Sequence, residues 1–297
     1  MLLPIKLMLD HARSRGYGLL RAVVTNSEEV EAVLTAAEEM NSPIVFGVNE
    51  PELEFPRHLY FESLLVGAAM KSKAPVGLQF DHTSNMDLIL RAVRGGYNGI
   101  MIDASHNPFA ENVALTKRVV EICRPLGILV EGEVGIITRT WDNDAERKEH
   151  RLTDAVSAGE YVEQSNVDVL AISIGEVSGF HSGDLDFVRL KEIKSRVANR
   201  AHLCLHGVSF ISDEDIRACI TGGITYFGCA TEFRDAFWQK VDEVRKIEGA
   251  KMVDPTIIFR PAREAMKEKV AEKIRLLGSQ HKSGAVLSAY FSGGNRE

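Results

Sequence analysis

The sequence has 297 residues, 45% of them hydrophobic and 26% charged, and its 35 basic side chains against 42 acidic ones give a net charge of −7. This composition excludes wholesale disorder, and the mild acidity disfavours broad binding to nucleic acids or anionic membranes, which requires a concentrated basic surface. The length suits two average domains or one large α/β barrel.

The sequence predicts no targeting signal, and its cysteine pattern is typical of a protein in a reducing cytoplasm. Asp10 and Arg13 interrupt the N-terminal stretch before an apolar core of signal-peptide length can form. The sequence contains no run of about 18 uncharged apolar residues, so we predict no membrane span. The four cysteines are Cys123, Cys204, Cys219 and Cys229. They form no CxxC pair and are too few for a disulfide framework, so we predict a cytoplasmic protein whose metal ligands, if any, are histidines and carboxylates.

Short apolar runs alternate with amphipathic stretches along the whole chain. The predicted strands are residues 18–24, 43–48, 76–80, 99–103, 128–134, 168–174, 201–206 and 224–228. Most of them lack polar alternation, which is typical of strands buried on both faces. The clearest helical patterns between them cover residues 28–40, 86–96, 108–127 and 213–223, the last with Ser212 as its N-cap. Eight strands, each followed by a helix, predict an α/β fold of the (β/α)8 TIM-barrel type. An open sheet is disfavoured because the sequence contains no GxGxxG turn after its first strand.

Two segments fall outside this repeat. Residues 136–153 form a long polar connection after the fifth strand, which is either an active-site loop or a solvated surface insertion. Residues 254–280 predict one charged helix that packs on the barrel or meets a partner subunit. No linker divides the chain, so we expect residues 1–297 to form a single barrel domain with a C-terminal helical extension at about 254–282.

Polar side chains cluster where the predicted strands end. Asp81 and His82 end the third strand, and His206 ends the seventh. Glu131 and Glu133 lie two apart on the fifth strand, so both side chains point to the same side. Because TIM barrels carry their chemistry at the carboxyl ends of the strands, these residues predict a divalent-metal site. Taken singly, His82 is more often a structural histidine than a ligand, and a buried ion-pair network explains Glu131 and Glu133 as well as catalysis does.

Phosphate binding is a second chemistry that the strand ends allow. Gly207 and Ser209 follow the seventh strand, and Thr231 follows the eighth. Backbone amides of such turns and of helix N-termini bind anions through local dipoles, which a net negative charge does not prevent.

In these residues the chain resembles the class II, zinc-dependent ketose-bisphosphate aldolases, the family of the fructose- and tagatose-bisphosphate aldolases. The most specific stretch is GGYNGIMIDASHNPFAENVALTKRVVE at 95–121. The segments MLDHARSRGYGLLRAVVTN near the N-terminus and DPTIIFRPAREAMKEKVAEKIRLLGS near the C-terminus are similar to the family as well. The resemblance implies a homodimer or homotetramer, and a Zn²⁺ or other divalent metal with an accompanying monovalent cation. It also implies reversible aldol cleavage of a ketose phosphate through a metal-stabilised enediolate.

The resemblance also implies roles for individual residues. Asp81 matches the catalytic aspartate that handles the proton of the C4 hydroxyl, and Glu133 matches the glutamate near the metal. His82 and His206 match two zinc ligands. The residues that match groups around the phosphate and the monovalent cation are Gly179, Gly207, Ser209 and Thr231.

The departures from the family pattern lie in the site. Ser178 stands where the family has its remaining zinc-ligand histidine, which leaves His181, Glu133 or Glu176 as candidates for a third ligand. Gly228 stands where the family has a substrate-contacting asparagine. Three functions are therefore compatible with the sequence: an aldolase with an altered substrate, a sugar-phosphate epimerase using the same retro-aldol chemistry, and a catalytically impaired partner subunit. Retention of the aspartate, the glutamate and both histidines favours an aldolase-type lyase.

Overall fold

Eight parallel strands pair in sequence order and close into a barrel, with the last strand pairing with the first. The computed structural model describes residues 1–53, 58–137, 152–176, 184–248 and 254–293. The strands are β1 Leu19–Val23, β2 Ile44–Val48, β3 Val76–Thr83, β4 Gly99–Ile102, β5 Leu129–Val134, β6 Val169–Ile172, β7 His202–Leu205 and β8 Ile224–Cys229. Every predicted strand is present, so the prediction of a (β/α)8 barrel is confirmed.

Helices precede β1 and lie between the strands. In the described part of the chain they are α1 Ile5–Arg15, α2 Ser27–Glu39, α3 Glu50–Leu53, α4 His58–Lys71, α5 Met86–Arg94, α6 Phe109–Cys123, α7 Ala155–Ser165, α8 Phe187–Val197, α9 Asp213–Gly222, α10 Thr231–Glu248, α11 Pro255–Leu277 and α12 Ser283–Gly293. All four helices singled out in the sequence are found. The predicted cap is confirmed as well, because the Ser212 side chain accepts a hydrogen bond from the Asp215 amide.

The charged helix predicted at 254–280 is found as α11, and a further helix, α12, begins beyond the predicted extension. Helix α11 ends at Leu277 because Gly278 adopts a left-handed conformation with φ of 74°, and α12 follows. Helix α11 packs against α2 and α10, so it lies on the barrel, and contact with a partner subunit stays a prediction. Of the polar connection at 136–153, residues 138–151 lie outside the described part of the chain. Within the described part, no helix is long and apolar enough to cross a membrane.

The N-terminal segment closes the amino end of the barrel. The Leu3 amide donates to the carbonyl of Val76 at the start of β3, which fixes the segment below the strands. Ile5 of α1 reaches between strands at Gly77 and Gly99, where an added Cβ would lie 2.5 and 2.6 Å from its side chain. The interior above it is apolar, with Leu19, Val45, Met101, Leu129, Val169 and Tyr226 in one cluster. Since this end is filled, the polar groups of the barrel face the carboxyl end.

Candidate active site

Four of the residues that the sequence singled out meet at the carboxyl end of the barrel. Asp81, His82 and His206 line one cavity of about 230 Å³, and Glu133 is buried beside His82. Two consecutive residues of β3 face this cavity because the pairing of β3 with β4 is irregular between Phe80 and Thr83, and His82 has a φ of 45°. Such a break in strand alternation re-aims a side chain at a functional site.

The two histidines face each other. His82 Nε2 lies 2.9 Å from His206 Nδ1. Carboxylates contact the other nitrogens, with Asp103 Oδ2 2.9 Å from His82 Nδ1 and Glu131 Oε1 2.7 Å from His206 Nε2. An ionised carboxylate only accepts hydrogen bonds, so each of these outer nitrogens carries the proton. His82 Nε2 and His206 Nδ1 then carry the lone pairs, and Arg21 Nη2 lies 3.1 Å from the second of them.

The charge states of the buried groups agree with this assignment. Burial, followed by the positive charge of Arg21, lowers the pKa of His206 to about 4, so the ring is neutral at pH 7. Burial alone would raise the pKa of Glu131, but the Arg21 guanidinium and the His206 hydrogen bond hold it well below its usual value. The site therefore contains a neutral imidazole held by an ionised carboxylate.

Glu133 stands on the other side of His82. Its Oε2 lies 3.9 Å from His82 Nδ1, and its Oε1 accepts a hydrogen bond from the Ile137 amide. Asn112 of α6 donates to the Glu133 carbonyl at 2.8 Å, which fixes this end of β5. The prediction that Glu131 and Glu133 point to the same side of β5 is confirmed, because both reach the histidine pair.

These residues fit a divalent metal ion. His82 Nε2 and His206 Nδ1 lie 2.9 Å apart, close enough to bind one cation together, and each ring is oriented by a carboxylate in the way typical of metal-binding histidines. Donor atoms of Asp81, His82 and His206 lie within 4.8 Å of one another, and those of His82, Asp103 and Glu133 do so as well. Nitrogen and carboxylate ligands of this kind suit a catalytic zinc site with an open position.

Arg21 of β1 is the main residue that sequence reasoning missed. It is fully buried, and its Nη1 lies 2.7 Å from Glu131 Oε2 and 3.3 Å from Asp81 Oδ1. Its Nη2 lies 3.1 Å from Nδ1 and 2.8 Å from Nε2 of His206. The available signal was a single charge inside the apolar run GLLRAVV, since an arginine is buried only when it is paired.

Two glycines make room for this arginine. Gly228 is the neighbour of Arg21 on β8, and an added Cβ there would lie 2.9 Å from Arg21 Nη2. On the β2 side, an added Cβ at Gly47 would lie 3.2 and 3.3 Å from Cγ and Cδ of Arg21. The departure from the family pattern at Gly228 therefore has a physical reason: a side chain at this position would collide with the guanidinium.

The residues predicted to contact phosphate border the same cavity. Gly207, with a φ of 64°, starts a short 3-10 turn at 208–210, and Ser209 and Thr231 line the cavity. Ser209 Oγ accepts a hydrogen bond from the Glu232 amide in the first turn of α10. Arg234 lines the cavity too, and within the described residues its buried Nε and Nη2 have no hydrogen-bond partner. This corner of the cavity offers amide, hydroxyl and guanidinium donors to an anion.

Glu176 is not brought to the histidine pair. Its Oε2 accepts a hydrogen bond from the Ile174 amide at 2.8 Å, and its carboxyl group interacts with Cys219 of α9. None of the groups of candidate metal ligands among the described residues includes it. Two other predicted residues, Gly179 and His181, lie with Ser178 outside the described part of the chain.

Cys204 joins the site against expectation. It stands two residues before His206 on β7, so both side chains point to the same side, and its donor atom lies within 4.8 Å of those of Glu131 and His206. Sequence reasoning placed all four cysteines away from any metal ligand. Within the described residues this thiol is nevertheless one of the atoms that can reach a metal ion.

Replacing Glu176 by glutamine is expected to stabilise the protein at pH 8 but not at pH 5. Full burial raises the pKa of Glu176 from 4.5 to about 8. Between these values the folded state binds more protons than the unfolded chain, so wild-type stability falls as the pH rises. The glutamine amide does not titrate in this range. Between pH 5 and 8 the free energy of unfolding of the variant should therefore fall by about 2–4 kcal/mol less than that of the wild type. Chemical denaturation at both pH values measures the difference.

Glu160→Gln is the matched control, because Glu160 is exposed on α7. It should retain the wild-type change in unfolding free energy between the two pH values. If Glu176→Gln retained it as well, the buried carboxyl would not be the group that titrates.

A profile of class II fructose-bisphosphate aldolases matches residues 4–282. A fructose-bisphosphate aldolase of Thermus caldophilus is 33% identical over 298 residues, covering 92% of this chain and 96% of its own. The crystal structure of the YdjI aldolase of Escherichia coli K12 superimposes with a TM-score of 0.84 at 32% identity, over 95% of this chain and 100% of its own. A fructose-bisphosphate aldolase of Campylobacter jejuni, 20% identical, shares the fold with a TM-score of 0.76 over 95% of this chain and 97% of its own.

Proposed function

Since this chain belongs to the class II fructose-bisphosphate aldolase family and is a metal-dependent aldolase-like lyase, we propose that it cleaves a ketose phosphate at the carboxyl end of its barrel. The observation that supports this most is the pair of lone-pair nitrogens of His82 and His206, 2.9 Å apart and each oriented by a carboxylate. We propose Zn²⁺ as the ion, with an accompanying monovalent cation.

The metal is proposed to be held by His82 and His206, with Glu133 as the third ligand rather than Glu176 or His181. Glu133 is buried beside His82, whereas Glu176 bonds to its own turn. When bound, a divalent ion supplies a Lewis acid that polarises a substrate carbonyl. Asp103 and Glu131 are proposed to keep both imidazoles in the tautomers that leave these two nitrogens free for the ion.

Asp81 is proposed to move the proton of the reaction. It lines the cavity, and its charge is balanced by Arg21 Nη1 at 3.3 Å from Oδ1. In the cleavage direction it accepts the proton of the hydroxyl next to the bond that breaks, while the bonding electrons move toward the carbonyl. Glu133 is proposed as the second catalytic carboxylate because, as a ligand, it would hold the ion against the substrate carbonyl; the carbon left behind would take its proton from water.

The substrate phosphate is proposed to bind at Gly207, Ser209 and Thr231, with Gly179 contributing from the segment after β6. The unpartnered nitrogens of Arg234 support an anion at this corner of the cavity, because a buried guanidinium group without acceptors is costly. We further propose that residues 1–297 form one domain of a cytoplasmic homodimer or homotetramer.

Metal analysis of the purified protein, combined with a cleavage screen over ketose mono- and bisphosphates, tests this function. We expect about one divalent ion per chain and release of a triose phosphate from at least one substrate. Inversion of a hydroxyl without release of a triose phosphate would identify an epimerase. Absence of metal and of turnover, with copurification of a second chain, would identify a partner subunit instead.

A further inference from the structure

His206 belongs to two groups of candidate metal ligands. The outer group, Asp81, His82 and His206, faces the cavity. The inner group, Glu131, Cys204 and His206, lies deeper in the barrel, since Glu131 and Cys204 each precede a site residue by two positions on their strands. In each group the donor atoms lie within 4.8 Å of one another. The positions of the donor atoms alone would therefore allow a metal ion to bind in either the outer or the inner group.

Arg21 contacts members of both groups. Its Nη1 lies 2.7 Å from Glu131 Oε2 in the inner group and 3.3 Å from Asp81 Oδ1 in the outer group. Its Nη2 lies within 3.1 Å of the His206 ring nitrogens. The guanidinium lies 5.0 Å from the centre of the Tyr226 ring, and Arg21 is fully buried where it borders the cavity.

Both carboxylate oxygens of Glu131 already have hydrogen-bond partners in this arrangement. Its Oε2 accepts from Arg21 and from the amide of Gln79, and its Oε1 contacts His206 Nε2. Gln79 is itself fixed, because its Oε1 accepts a hydrogen bond from the Tyr226 hydroxyl at 2.7 Å. An ion bound by the inner group would have to displace these donors and lie next to a fixed positive charge.

We infer that Arg21 determines which group binds the metal: it closes the inner group of Glu131, Cys204 and His206 and keeps the ion at the cavity with His82. Both oxygens of Glu131 are already hydrogen-bonded, Oε2 by Arg21 at 2.7 Å, whereas Asp81 Oδ1 of the outer group has no hydrogen-bond partner among the described residues. The inference rests on the metal site of the proposed function. Arg21 is thus a positioning residue, because an ion on Cys204 would lie below the cavity, away from the substrate.

The test uses Co²⁺ as the probe, because a thiolate ligand gives Co²⁺ a charge-transfer absorption that histidine and carboxylate ligands do not. The wild-type protein is freed of metal and loaded with Co²⁺ beside Arg21→Gln and Arg21→Lys. We expect no thiolate band in the wild type or in Arg21→Lys, which keeps the charge. Arg21→Gln should gain the band, and adding Cys204→Ser to it should remove the band again.

A thiolate band in the wild type would overturn the inference, as would a folded Arg21→Gln protein whose Co²⁺ spectrum equals that of the wild type. If Arg21→Gln does not fold, Cys204→Ser alone decides: its Co²⁺ affinity and spectrum should equal those of the wild type, and a change in either contradicts the inference. Failure of the wild type to bind Co²⁺ at all would instead overturn the proposed metal site, and the inference with it.

Discussion

Replacing His82 by alanine is expected to remove the bound metal and, with it, aldol cleavage. His82 Nε2 and His206 Nδ1 face each other at 2.9 Å, so the loss of one ring takes away half of this nitrogen pair. Metal content should fall from about one ion per chain to a trace after dialysis. The value of kcat/KM should fall by about 10³-fold or more, because a Lewis acid contributes several kcal/mol to the transition state. Elemental analysis and a cleavage assay on the same sample measure both.

Two variants serve as references for this result. His11→Ala removes an imidazole from α1 at the closed end of the barrel and should retain metal and turnover. Asp103→Asn keeps the ligand but loses the ionised carboxylate that orients it, and should weaken metal binding by about 10–100-fold. A His82→Ala protein with full metal content and full activity would show that the histidine pair is not the metal site.

Replacing Asp81 by asparagine is expected to lower kcat by about 10²–10⁴-fold while metal content stays unchanged. Asparagine has nearly the same shape and can still place an oxygen toward Arg21 Nη1, which lies 3.3 Å from Oδ1 of the native residue. It cannot take a proton from a substrate hydroxyl. Steady-state kinetics together with metal analysis separate this loss of proton transfer from a loss of the ion.

Asp213→Asn is the matched control, because Asp213 is an exposed carboxylate in the first turn of α9. It should leave kcat and metal content at their wild-type values. An Asp81→Asn protein that loses metal in proportion to its activity would identify Asp81 as a ligand instead of a proton acceptor. Unchanged kcat would remove it from the mechanism.

The barrel was predictable because its signals are local. Each strand is a short apolar run, and the residues that end the strands, such as Asp81 and His206, are polar where the next loop begins. Once a parallel barrel is accepted, these strand ends must meet, because closure brings all carboxyl ends to one rim. The meeting of His82 with His206 therefore follows from topology, although 124 positions separate them in sequence.

The interior contacts were not predictable in the same way. Arg21 reaches Glu131 across the barrel, and the pairing depends on how far each side chain extends into the interior, which no local pattern reports. The placement of Cys204 follows from the two-residue period of β7 and could have been found by applying that period to His206. Glu176 failed as a ligand candidate because the chain leaves the strand direction at Gly175, which has a φ of 120°, before the carboxyl group is reached.

The tight fit of Arg21 against Gly228 couples these two positions. An asparagine at position 228, which the family resemblance implies, would force the guanidinium to move, since even a Cβ there would lie 2.9 Å from Nη2. A side chain at 228 alone would press on Arg21, and removal of Arg21 alone would leave Glu131 without its charge partner, so we expect substitutions at the two positions to be non-additive. Any attempt to rebuild the family's usual pocket in this protein has to exchange both residues at once.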